Sequence, residues 1–100
     1  MSVLAAVALP WALRIVVEAS CPELAAVESR VRELDASVLA RDATARLEPL
    51  DDRLRVEVRS GTGALLVVED LVLGPSCDTL AAAAAIVIAS ALGSSRGGDL

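Results

Sequence analysis

The order of periodic segments predicts an α/β fold, a two-layer sandwich built β-α-β-β-β-α with two helices on one face of a mostly antiparallel sheet. Three observations carry that expectation. The hydrophobic period switches from two to about 3.6 after residue 19, and residues 53–60 alternate apolar and charged side chains strictly. A long alanine-rich segment then follows a fourth apolar run. A chain of one hundred residues suits one such domain, and its 55% hydrophobic content supplies enough apolar surface to order it.

Residues 1–11 are apolar and uncharged, reading as a degenerate secretory signal, a shortened gene start or an arm packed on the domain. The domain proper is expected over 12–92, and residues 93–100, GSSRGGDL, form a polar tail. Strand one is expected in ALRIVVEA (12–19), with Leu13, Ile15 and Val17 on one face. A helix is expected over 20–35, where Leu24, Val27, Val31 and Leu34 make a stripe. Ser20 and Glu23 have capping-box spacing there. Residues 36–42 read as a connection.

ATARLEP (43–49) then sets Ala43, Ala45 and Leu47 against Thr44, Arg46 and Glu48. RLRVEVRS (53–60) sets Leu54, Val56 and Val58 against Arg53, Arg55, Glu57 and Arg59. Both patterns are those of half-buried antiparallel strands. Turns are expected at Pro49–Asp52 and Ser60–Gly63. ALLVVEDLVLG (64–74) is the fourth strand. Its adjacent Glu69 and Asp70 break alternation, implying a bulge or a pair with Arg53, Arg55 or Arg59 across the hairpin.

The last helix is expected over 76–92. Its uninterrupted apolar part, Leu80 to Leu92, is thirteen residues. At about 1.5 Å each it spans roughly 20 Å, against a bilayer core of about 30 Å. A membrane span is therefore not expected. Leu80, Ala84, Val87, Ile88, Ala91 and Leu92 share the arc that should face the sheet, and Ile86 stands among Ala82, Ala83, Ala89 and Ser90 on the other side.

Composition excludes several function classes. All nine basic residues are arginine, and Lys, Asn, Gln, His, Phe and Tyr are absent, which fits a GC-rich genome. Without histidine the chain lacks the commonest general base and metal ligand near neutral pH. Ser20, Ser76 and Ser90 thus have no triad partner. A net charge of −5 and a single aromatic, Trp11, argue against nucleic acid. GTG at 61–63 lacks the lysine and following helix of a phosphate loop, and Asp51-Asp52 suits a solvated turn. No enzyme activity, cofactor or metal is expected. The candidate interaction face is the arginine side of strands two and three, Arg46, Arg53, Arg55 and Arg59. The candidate self-association face is Ala82, Ile86 and Ala89.

Cys21 and Cys77 open similar phrases, SCPE and SCDT. If strands one and two are parallel and two hairpins follow, both helices start at one end of the sheet, and each cysteine lies in a first turn. A structural disulfide is the favoured reading. Buried free thiols, or a redox or metal role, are the alternatives.

With Cys21-Pro22 before a charged helix, the strand RLRVEV, and Cys77 followed by Leu80, Ala81, Ala83 and Ala84, the chain resembles a known family over residues 13–92. That family is an uncharacterised two-cysteine domain of predicted exported proteins in high-GC Gram-negative bacteria. The resemblance implies this fold and a periplasmic or secreted location, and it implies no activity. The function expected is an exported interaction module for a protein partner not identified by the sequence. The alternative is a structural domain forming a homodimer through the helix at 76–92.

Overall fold

The computed structural model describes residues 12–73 and 76–93. The segment 1–11 and the tail beyond Gly93 lie outside these residues. The elements follow the expected order: β1 Arg14–Val17, α1 Leu24–Asp35, β2 Ala43–Pro49, β3 Arg53–Ser60, β4 Leu65–Val72 and α2 Cys77–Gly93. One sheet runs β1-β2-β3-β4, with β1 parallel to β2 and the other neighbours antiparallel. The parallel step needs a crossover, and α1 supplies it.

Alternation places the core. Ala43, Ala45 and Leu47 of β2 and Leu54, Val56 and Val58 of β3 are buried, joined by Ile15 of β1. Both helices cover that face, α1 near β1 and α2 near β3 and β4, and they pack on each other. Val27, Val31, Leu80, Ala84, Ile88 and Leu92 close the core, as the helical stripes predict.

The alanines of α2 explain how the helices approach. Ala81 and Ala85 are fully buried although they lie outside the expected sheet-facing arc. A helix side of small residues lets a neighbouring helix come close without unfilled space. Ala85→Leu should therefore overpack the core and lower stability by about 1–3 kcal/mol, read from urea denaturation midpoints. A neutral result would place the seam between the helices elsewhere.

Three local expectations need correction. The first helix begins at Leu24 rather than Ser20, its N-cap is Glu23, and no side chain caps it. The residue before a proline is driven out of the helical region, so Cys21 precedes the helix instead of sitting in its first turn. The Cys21-Pro22 peptide is cis. Second, Leu24 and Leu34 belong to the predicted stripe yet are 43% and 53% exposed, because they sit at the two ends of α1, beyond the covered part.

Third, of the two outcomes expected at Glu69-Asp70 the cross-strand pair forms, Asp70 with Arg55 and Arg53, and the bulge of β4 lies elsewhere. Val58 pairs with Val67 and Arg59 with Leu65, so the register shift falls at Leu66. Regular pairing then holds Glu69 opposite Val56 and Asp70 opposite Arg55. The two acidic residues simply take opposite faces of the sheet.

The connection at 36–42 carries more structure than its sequence suggested. A 3₁₀ helix at Ala36–Ala40 buries Val38, and the Asp35 carboxylate accepts bonds from the Ser37 amide and hydroxyl. Arg41 then donates to the Leu92 carbonyl at 2.7 Å, covering a last-turn acceptor of α2. The β3-β4 turn uses Gly63 at φ 94°, a conformation that glycine tolerates best.

Candidate functional site

Both crossings bring the start of each helix to the same end of the sheet, and there Cys21 and Cys77 form a disulfide with Cα atoms 5.3 Å apart. Ser76 caps α2 as expected, its hydroxyl accepting from the Thr79 amide at 3.1 Å. Asp78 in the same turn receives a two-pronged bond from Arg30 of α1, at 2.8 and 3.0 Å. The disulfide and this ion pair tie α1 to the first turn of α2.

Beside the disulfide lies a cleft of about 470 Å³, bordered by Cys21, Leu50, Arg53, Leu54, Leu73 and Leu80. Its cation is already engaged. Arg53 pairs with Asp52 at 3.1 Å and with Asp70 at 3.5 Å.

The arginine face is present as predicted, on the sheet side away from the helices, but its charges are compensated. Arg46 grips Glu18 through Nε and a terminal nitrogen, at 3.0 and 3.3 Å. Arg55 grips Asp70 in the same way, at 2.9 and 3.3 Å, and Arg59 holds Glu57 at 2.8 Å. Each candidate arginine thus has a carboxylate of its own. An acidic partner would have to displace these, so the face is a mixed-charge lattice rather than a positive patch.

Asp70 is the hub of that lattice. The hydrogen bond from Arg55 holds its carboxyl below the usual aspartate range; desolvation opposes it, and the charge of Arg55 and then the bond and charge of Arg53 add to the lowering. A depressed folded value means stability that is present above the unfolded value and lost as pH falls through the folded one. The melting-temperature gap between wild type and Asp70→Asn should therefore be steady at neutral pH and close below about pH 4. A gap persisting to pH 2 would assign the effect of the substitution to packing.

The most unusual surface is β4. Its sequence LLVVEDLV has six apolar residues among eight, yet none is buried. Val72 is 82% exposed, and Leu65, Leu66, Val68 and neighbouring Leu73 lie open as well. The strand ends the sheet, since β3 is its neighbour and no described strand pairs its other side. Between β4 and α2 runs a groove of about 480 Å³, with Leu66, Val67 and Glu69 on one wall and Ile86 and Ser90 on the other.

Ile86, the residue singled out on the back of α2, forms part of that groove and is 54% exposed. It also borders a shallow hollow with Ala82 and Leu34, at the outer seam of the two helices. Ala89 is half-buried. Ala82 and Ile86, two of the predicted self-association residues, thus share one hollow. Ile86 stands between that hollow and the groove beside β4.

Apolar content alone could not single out β4, because an equally apolar fourth strand is compatible with a place inside the sheet. Strand order decides the matter. Among the described residues no group of His, Cys, Asp or Glu could hold a metal ion, and no helix is long and apolar enough to cross a membrane. No family model, curated protein or solved structure matches this chain.

Proposed function

We propose that this chain is a non-catalytic protein-interaction domain of an oxidising compartment, periplasmic or secreted, that docks its partner along β4. The observation that carries the reading is an eight-residue, largely apolar edge strand with no buried residue. Exposed edge strands of this kind template pairing with another chain, and proteins normally blunt or cover them. Apolar surface left in one place marks contact with a partner. The Cys21–Cys77 bond supports the compartment, because such bonds persist where thiols are not kept reduced. A chain without histidine suits binding better than acid–base work.

The alternative, self-association through α2, has one observation in its favour. Leu34 and Ile86, 53% and 54% exposed, meet at the outer seam of the helices. A stable dimer in sedimentation velocity that dissociates on Ile86→Ser would support it.

The principal test uses a photo-crosslinking residue placed at Val72 or, as a control, at Arg32 on the solvent side of α1, in cells of the native host. Thiols are trapped with an alkylating agent at lysis. A discrete adduct at Val72 and none at Arg32, with both cysteines unalkylated, is the expected result. The same adducts at both positions would remove the edge as the docking element, and alkylated cysteines would remove the compartment.

A further inference from the structure

We infer that the partner contributes an extended segment that adds to the free edge of β4 as a fifth strand and places an arginine or lysine against Glu69. This deepens the proposed function and rests on it.

Glu69 is the starting point. It lies on the helix-facing side of β4, opposite Val56, at the middle of the groove between the strand and α2. The described basic side chains of the sheet and its border are engaged elsewhere: Arg53 and Arg55 serve Asp70 on the opposite face, Arg46 serves Glu18, Arg59 serves Glu57, Arg14 donates to the Thr44 hydroxyl and Arg41 to the Leu92 carbonyl. Among the described residues Glu69 has no hydrogen-bond or ion-pair partner, and none that lines the groove is a cation. Its neighbours along the same face are Val67 and Leu71, both half-buried. The edge therefore offers an apolar–acidic–apolar row beside a row of unpaired backbone groups.

An added strand reads that row directly. Backbone bonding aligns it, and its alternate side chains fall opposite Val67, Glu69 and Leu71. The complement is apolar–basic–apolar at every second residue, with the cation half-covered by Ile86 of α2. On the other face Asp70 is satisfied by Arg55 and Arg53, so Val68 and Val72 ask only for apolar or β-branched neighbours.

Charge also decides against a second copy as the occupant. A twofold β4–β4 pairing must be centred on Val68, Glu69 or Asp70 to use most of the strand. Each centre sets the two Glu69 carboxylates directly opposite or diagonal, within about 8 Å. No described cation is there to offset them. A carboxylate pointing inward on an edge strand is a known guard against self-pairing. Here the same group becomes the specificity determinant for a basic strand.

The test exposes the full oxidised chain to a displayed library of random seven-residue peptides, alongside Glu69→Arg and Glu69→Gln. Circular dichroism checks that all three are folded, and sedimentation velocity measures their assembly. Wild type should be monomeric and enrich peptides with a central Arg or Lys between alternate β-branched or apolar residues. Synthetic copies of these should bind Glu69→Gln about tenfold more weakly. Glu69→Arg should enrich central Asp or Glu instead. Enrichment indifferent to residue 69 would overturn the inference, as would no enrichment at all. A wild-type dimer broken by Val68→Lys would overturn it too, naming a second copy as the occupant. Crosslinking at Val72 reads the edge without reference to Glu69, so the broader proposal can stand where this one falls.

Discussion

Replacing Cys21 and Cys77 together by serine is expected to lower folding stability by about 4 kcal/mol. The bond joins residues separated by 56 positions, and the chain-entropy model gives that figure for a loop of this length. Small domains have only about 5–15 kcal/mol in total, so this is a large share. In a domain of this size the melting temperature should fall by about 15–30 °C. The location of the bond makes the expectation sharper. It links a residue three positions before α1 to the first residue of α2, and those helices close the core over a thin sheet. Differential scanning calorimetry on wild type and the double variant measures the effect. Wild type melted in reductant should coincide with the double variant, since both lose the same closure. A loss below about 1 kcal/mol would show that the denatured chain gains little freedom when the bond is absent.

The second large effect is expected at Leu47. It is fully buried in β2, flanked in register by Val17 of β1 and Val56 of β3, so it stands where the parallel and antiparallel halves of the sheet meet. Leu47→Ala should cost about 2–5 kcal/mol, the removed methyl groups plus the space left in a core that cannot easily collapse. Neighbouring Ala43 and Ala45 are already small, which leaves few side chains able to fill the gap. Val72→Ala removes apolar atoms from a side chain that is 82% exposed and should fall within about 0.5 kcal/mol of wild type. Chemical denaturation of the two variants tests the contrast. A similar cost at both positions would mean that β4 has a cover that the isolated chain retains in solution.

The two predictions connect stability to function. The folded chain is held by β2, β3, the two helices and the disulfide, while β4 contributes pairing and one salt-linked hub but no buried side chain. Such a strand can be offered to a partner without loss of the core. It can also be altered by mutation without unfolding the domain, which is why substitutions at Glu69, Val68 and Val72 are usable as probes.

What the sequence determined by itself follows from periodicity. A period of two at 43–49 and 53–60 names the buried side chains, because alternate residues of a strand must take opposite faces. The order β-α-β-β-β-α carries both cysteines to one end of the sheet, since a crossover preserves strand direction and two hairpins reverse it twice. The Ser76 cap was legible from residue type. The Cys21 context was misleading, because the pattern of a capping box competes with the conformational restriction that Pro22 imposes on its predecessor.

Three features were settled only by tertiary structure. Strand order put β4 at the rim, and no local pattern states which strand of a sheet is last. The approach of α1 buried Ala81 and Ala85, a property of two helices together that neither helix displays alone. Side-chain reach matched Arg46, Arg53, Arg55 and Arg59 each to a carboxylate, some from distant positions such as Glu18 and Asp70. Pattern records which face a residue takes. The neighbours it meets on that face depend on contacts between distant segments, and these decided that Asp70 is paired while Glu69 meets no cation among the described residues.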